Sequence, residues 1–269
     1  QIIFSSALSD PWRDPWGDKE VDSEYVKEYE PEREDIKHLR ILLCGPVGSG
    51  KSSFINSVSN ILRGRMTIPA LASYETHKIR KENSKTFYPL VFNDIMGLEE
   101  DSDSGVRPDD IKLAMKGHVK EGYKFNPVSP LSEADPGYNP EPSADDKVHV
   151  LVCVLSANSA EIKESVLQKM ADIREAARDL GIPQMAMITK IDEACGETEE
   201  NLRNVYKSTY LKQKVSMKDF SAAVGIPMNC IFPVKNYSHE IENKDDVDTL
   251  TLSALRHMID FGDDFINKT

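Results

Sequence analysis

Cysteine is scarce: the 269-residue chain holds only Cys44, Cys153, Cys195 and Cys230, no two of them at metal-ligand spacing. That excludes a zinc ribbon and a disulfide-stapled secreted scaffold, and predicts free, reduced, buried thiols in a cytosolic protein. Long apolar runs are missing too. The run at 148–155 falls far short of the roughly 20 residues a membrane helix needs, so no transmembrane segment is expected. No secretory leader is legible, and a first residue of Gln1 rather than Met is what a fragment would show. Positive charge is in deficit, with a net charge of −12. This argues against general binding of nucleic acid or anionic membrane, but not against one locally positive phosphate site. Tryptophan occurs twice, both times early, in Asp10-Pro11-Trp12 and Asp14-Pro15-Trp16.

What is present reads as one large α/β unit with an appendage. Residues 1–35 form an arm, with a helical turn expected around 21–29. Its tryptophans serve either as pins onto the domain surface or as a linear docking motif. From residue 36 to 269 a nucleotide-binding domain is expected. Leu39-Arg40-Ile41-Leu42-Leu43-Cys44 is a buried strand bounded by Gly45. A helix follows with Phe54, Val58, Ile61 and Leu62 on one face, and Gly64 stops it. Residues 86–93 form a strand in which Pro89 demands a bulge or an interrupted ladder, and residues 148–155 form another. The next helix carries the stripe Ile162, Val166, Met170, Ile173, Ala177 and Leu180. A capping box of Asn158 and Glu161 should open it, and Gly181 and Pro183 should end it. Strands at 185–189 and 230–234 and helices at 202–224 and 249–266 complete the pattern. This alternation predicts a P-loop GTPase-like three-layer fold, with a mostly parallel sheet of about six strands and helices on both faces. Residues 123–146 hold five prolines and are expected to be a long loop.

Gly45-Pro46-Val47-Gly48-Ser49-Gly50-Lys51-Ser52 fits the phosphate-loop pattern at every fixed position, between a predicted strand and a predicted helix. Glycines let the backbone wrap phosphate closely, and the helix start adds N–H groups and a positive end. The expected phosphate contacts are Val47, Gly48, Ser49, Gly50, Lys51, Ser52 and Ser53, with Lys51 supplying charge and Ser52 ligating Mg²⁺. Asp94-Ile95-Met96-Gly97 ends the next strand: Asp94 would hold the water shell of Mg²⁺ and the Gly97 N–H would meet a terminal phosphate. Thr189-Lys190-Ile191-Asp192 has the form of a guanine-recognition motif, with Thr189 where Asn is usual. The Asp192 carboxylate suits the two donors on guanine, which adenine lacks, and the Lys190 stem would cover the ring. GTP or GDP is therefore preferred over ATP. Lys235 and Asn236, after the last strand, are the base-edge candidates. Thr76, rather than Thr67, is the expected switch threonine reaching Mg²⁺. His77 beside it is either an aid to hydrolysis or an ordinary solvent-facing histidine. Leu98 follows Gly97 where Ras-like enzymes place a water-orienting Gln, so turnover should be slow unless a partner or a dimer supplies a missing group.

Residues 40–54 together resemble the interferon-induced protein 44 and 44-like family. So do Gly117-His118-Val119, Tyr123-Lys124-Phe125-Asn126-Pro127, Ala157-Asn158-Ser159, Asn236-Tyr237-Ser238, Ser253-Ala254-Leu255-Arg256 and Pro11-Trp12-Arg13. The resemblance covers nearly the whole chain. It implies a cytoplasmic, GTPase-like protein induced by interferon and associated with antiviral defence, with a TLDc-type domain upstream in full-length members. Two functions are carried forward: a slow Mg²⁺-dependent GTPase, and a scaffold gated by GTP or GDP with little hydrolysis. The scaffold would present residues 64–85, 96–120 and the proline-rich loop to a protein partner or to a second copy.

Overall fold

The computed structural model describes residues 7–67, 75–82, 85–95, 97–100, 105–158, 162–216 and 225–269. The apolar run at Leu39–Cys44 becomes β1, the central strand of the sheet. It pairs in parallel with β3 (Phe87–Asp94) on one side and β4 (Val150–Ser156) on the other. β4 continues in parallel to β5 (Gln184–Thr189), and β5 to the short β6 (Ile231–Pro233). The edge strand β2 (Glu75–Arg80) runs antiparallel to β3 and completes the order β2-β3-β1-β4-β5-β6. Its register slips between Lys78 and Arg80, opposite Pro89, as a residue without an N–H donor requires.

The sheet is buried on both faces, which explains why its inner strands are so largely apolar, β4 without a break from Val150 to Leu155. α2 (Lys51–Leu62) packs on one face, where Phe54 meets Phe92 edge-on at 6.2 Å. α8 (Asp245–Lys268) lies beside it against β1, β4 and β6. α3 (Pro108–Met115) and α4 (Glu164–Asp179) pack together elsewhere in the fold, α4 also against β5. The arm does not hang free. Its helix α1 (Lys19–Glu28) lies along α8, with Arg256 paired to Asp22 at 2.7 Å and the Tyr25 hydroxyl donating to Asp260 at 2.7 Å. Trp12 and Trp16 both pack edge-on against Tyr206, at 4.9 and 6.2 Å. Arg13 stacks over Phe232 at 4.7 Å and donates to the Ile231 carbonyl, closing the β6 edge.

Three expectations need correction. α4 starts at Glu164, so Asn158 is not its cap; the Asn158 amide instead donates to Glu193 at 2.5 Å, and Glu161 lies outside the described residues. The single helix expected over 202–224 is broken into a 3-10 turn at Leu202–Tyr206 and α7 (Thr209–Ser216). Ser208 makes the break, because its hydroxyl accepts the Leu211 N–H in the manner of an N-cap and starts a new helix; residues 217–224 lie outside the described residues. The last helix begins four residues earlier than expected, where Asp245, Asp246 and Asp248 suit the positive helix start.

The proline-rich loop reaches the far end of β1 from the phosphate loop. Asp145 accepts the backbone N–H groups of Lys37 and His38 at 2.8 and 2.9 Å, and its carbonyl accepts from Arg40. Its other end is held on α3, where Asp110 accepts the Leu131 N–H. Along this stretch Tyr138 stacks on His118 at 5.0 Å.

Candidate functional site

Because β1, β3, β4, β5 and β6 run in parallel, the loops that follow them all emerge at one edge of the sheet. The chain reverses its direction of winding at β1, and such a switch point is where open α/β sheets bind ligands. The phosphate loop leaves β1 at this point. Gly50 has φ +94°, and a Cβ there would lie 2.9 Å from the Asn236 amide, so glycine is required by both conformation and space. The first turn of α2 follows, with N–H groups that have no intrahelical partner. Lys51 is buried. Its ammonium folds back onto the carbonyls of Gly45 and Pro46, both at 3.2 Å. Burial lowers its pKa, an effect that the nearby Asp94 carboxylate opposes.

Ser52, one residue on, donates its hydroxyl directly to Asp94 at the end of β3. Burial raises the Asp94 pKa, while Ser52 and Lys51 pull it back down. The segment after Asp94 lies on the phosphate loop itself. The Leu98 N–H donates to the Gly45 carbonyl at 3.0 Å, and a Cβ on Gly97 would sit 2.6 Å from the Val47 backbone N and Cα. Val47 itself is exposed at the top of the loop. Met96 lies outside the described residues.

The structure separates the expected switch residue, Thr76, from Ser52 and Asp94. In the antiparallel pairing Thr76 lies opposite Asn93, whose amide donates to the Thr76 hydroxyl at 3.3 Å, while Asp94 points to the other face of the sheet. Thr76 is therefore not brought to Ser52 and Asp94. Thr67 is no nearer, because its N–H and hydroxyl are both bonded to Asn60 on α2. His77 pairs with Phe92 and so shares the face of Asp94, on whose carboxyl it acts electrostatically. Its Nε2 is buried without a partner.

On the other side of the phosphate loop, the fully buried Thr189 ends β5. Its hydroxyl donates to the Ser49 carbonyl at 2.6 Å and lies 3.3 Å from the Leu155 carbonyl. The motif thus ties its own strand to the phosphate loop through Thr189. Lys190 follows at φ +56°, the only non-glycine residue with positive φ among those described. That turn sets Asp192 on the short helix α5 (Ile191–Ala194), with its carboxylate 3.2 Å from the Lys235 ammonium. Asn236, expected at the base edge, instead donates its amide to the Gly50 carbonyl at 3.1 Å, and its Oδ1 is buried without a partner. The loop that carries both is anchored on α2, where the Tyr237 N–H donates to the Ser57 hydroxyl at 3.0 Å.

This geometry brings together the phosphate loop, Asp94, Gly97, Thr189, Asp192, Lys235 and Asn236. Sequence similarity points to one family. The chain is 31% identical to human interferon-induced protein 44-like over 246 residues, covering 88% of this chain and 54% of that protein. Interferon-induced protein 44 of Mus musculus aligns at 31% over 248 residues, covering 88% of this chain and 57% of its own. The chain is homologous to the interferon-induced protein 44 and 44-like family. It spans about half the length of the curated relatives it matches. No protein-family model matches it. Among solved structures, Toc33 from Arabidopsis thaliana superposes with a TM-score of 0.46 at 13% identity, covering 93% of each chain. Translation elongation factor SelB from Methanococcus maripaludis, solved with the GTP analogue GppNHp, gives 0.37 at 12% identity, covering 86% of this chain and 34% of its own.

Two contacts at the candidate site were not legible in the sequence. Glu240 holds the second side of the Lys235 ammonium at 3.1 Å, and its only local sign is a carboxylate two residues beyond Ser238 in a turn. Asn158, bonded to Ser156 and Glu193, braces the β4 loop against α5.

Proposed function

We propose that this chain binds a guanine nucleotide with Mg²⁺ and hydrolyses GTP slowly. The observation that carries this reading is the Thr189–Ser49 bond, which fixes the Thr-Lys-x-Asp turn to the phosphate loop. One nucleotide can then span Lys51 at its phosphates and Asp192 at its base. Guanine presents two adjacent N–H donors to a carboxylate, whereas adenine would leave Asp192 unpaired, a penalty that favours guanine. Val47, Gly48, Ser49, Gly50 and Ser53 line the phosphate path. Gly97 offers its N–H above it, and Lys190 covers the ring.

The Ser52 hydroxyl and the Asp94 carboxylate are hard oxygen donors in direct contact, the chemistry Mg²⁺ requires. Among the described residues no cluster of three or more His, Cys, Asp or Glu forms a metal site, so phosphate oxygens and water would complete the shell. Bound there, the ion would neutralise charge on the transferring phosphate. Lys51 shares that task. Leu98 is buried, with its N–H committed to Gly45, and offers no group to an attacking water.

That last observation also favours the second reading, a nucleotide-gated scaffold with little turnover. Residues 97–98 lie directly on the phosphate loop and would report the terminal phosphate to a partner or to a second copy. A role in interferon-induced, cytoplasmic antiviral defence is proposed from the relatives. Phosphate release from GTP, measured over a range of protein concentrations, tests the enzymatic part. The expected result is slow turnover by dilute monomer that rises only when a partner or self-association supplies the missing group. Fast turnover at high dilution would contradict it.

A further inference from the structure

The carboxylate assigned to the base has a protein partner of its own. Lys235 Nζ lies 3.2 Å from Asp192 Oδ2 and 3.1 Å from Glu240 Oε1, so one ammonium bridges two carboxylates. Glu240 is itself fixed. Its other oxygen accepts the N–H groups of Ser238 and His239 at 2.9 and 3.2 Å. All three side chains are largely buried, with 25% of Lys235, 24% of Asp192 and 15% of Glu240 exposed. Burial alone would raise the Glu240 pKa, yet the backbone donors and Lys235 bring it down to about 2. Burial likewise opposes the charge on Lys235, and Glu240 and Asp192 overcome it.

Guanine needs both oxygens of Asp192, one for each of its two donors. Lys235 donates to one of them. We propose that Lys235 is a built-in competitor for the base: it pairs with Asp192 and is retained by Glu240 when guanine takes that carboxylate. Lys235 and Glu240 then set the affinity and exchange rate of the nucleotide without either touching it. The proposal rests on the guanine reading of Asp192. An ammonium has three N–H donors, so losing one partner while keeping the other needs only a small rotation about a fixed stem. The fixed position of Glu240 makes it the place where Lys235 stays.

The test measures GDP–Mg²⁺ affinity and release with a fluorescent guanine nucleotide for K235M, K235Q, E240Q and D192N, with denaturation midpoints as a check on folding. K235M and K235Q are expected to tighten GDP binding by about 2- to 5-fold, the range an ion pair of this kind supports, and to slow release. E240Q should weaken binding by a similar factor, because Lys235 then has only Asp192 to hold. The gap between wild type and K235M should close as salt rises toward about 1 M, where such pairs are screened. It should be absent in the D192N background. Weaker GDP binding by both K235M and K235Q, while D192N still shifts preference toward xanthine, would overturn the competitor role and make Lys235 a direct base contact. Unchanged guanine preference in D192N would overturn the base assignment, and the competitor role with it.

Discussion

Replacing Thr189 with Val isolates the bond that joins the two halves of the site. Valine keeps the branched shape of threonine in a fully buried position and opens no cavity, so the change removes little besides the hydroxyl. The hydroxyl has one proton, and its short contact is to the Ser49 carbonyl at 2.6 Å rather than to Leu155 at 3.3 Å. Ser49 is 2% exposed, so its carbonyl would be left without water or partner. An orphaned buried acceptor costs about 1–3 kcal/mol. If the phosphate loop holds its shape, that cost appears in the denaturation midpoint of the empty protein, with GDP affinity unchanged. If the loop relaxes by turning Ser49 toward water, stability survives and GDP binding weakens by about 5- to 150-fold, at about 1.4 kcal/mol per decade. The sum of the two losses, from denaturant titration and calorimetry on one sample, should fall within about 1–3 kcal/mol either way. T189S keeps the hydroxyl and should lose much less. A summed loss below about 0.5 kcal/mol for T189V, well under the cost of an orphaned acceptor, would refute the reasoning. So would equal losses for T189S and T189V.

Gly97→Ala forces a Cβ to within 2.6 Å of the Val47 backbone, so either the phosphate loop or the segment above it must move. GDP affinity should fall by about tenfold or more, roughly 1.4 kcal/mol, and the denaturation midpoint should fall as well because backbone atoms must give way; unaltered affinity would show that this contact does not shape the site. His149, remote from the nucleotide loops, gives a pH signature. Its Nδ1 accepts the Arg40 N–H, and burial lowers its pKa to about 4, so it stays neutral in the fold. Above pH 6.5 neither folded nor unfolded chain protonates it and stability is at its full value. Between about 6.5 and 4 only the unfolded chain takes up the proton, so stability falls, by up to about 3 kcal/mol, and levels off below. H149N should flatten that part of the curve in urea titrations from pH 7 to 4, and an unchanged slope would assign the acid sensitivity elsewhere.

The sequence conveyed the inner strands and the loop after β1. Residues 41–44 and 150–155 had to be inner parallel strands because nothing polar interrupts them, and Pro89 announced the slip in the β2–β3 ladder. The phosphate loop was legible because its glycines are demanded by the backbone itself. Contacts between distant loops were not. Nothing in the spacing of Thr189 reveals that its hydroxyl reaches Ser49, 140 residues earlier. Asn236 is a base-edge candidate by its place after β6, but nothing in the sequence reveals that its amide also reaches the Gly50 carbonyl. Thr76 was a reasonable metal ligand until strand alternation set it on the face of Asn93. The helix expected over 202–224 failed for a local reason: Ser208 starts a new helix by accepting the Leu211 N–H, and its sequence alone does not distinguish such a cap from a mid-helix serine. The arm's tryptophans could not be assigned before Tyr206 was found beneath both.

The central claim is that the Thr189–Asp192 turn and the phosphate loop together hold a guanine nucleotide. Calorimetric titration with GDP, GTP and ATP in the presence of Mg²⁺ tests it most directly. The expected result is one-to-one binding of GDP and GTP, no measurable displacement by ATP, and a shift toward xanthine nucleotides in D192N. Equal binding of ATP and GTP, or a D192N variant with unchanged preference, would contradict the claim.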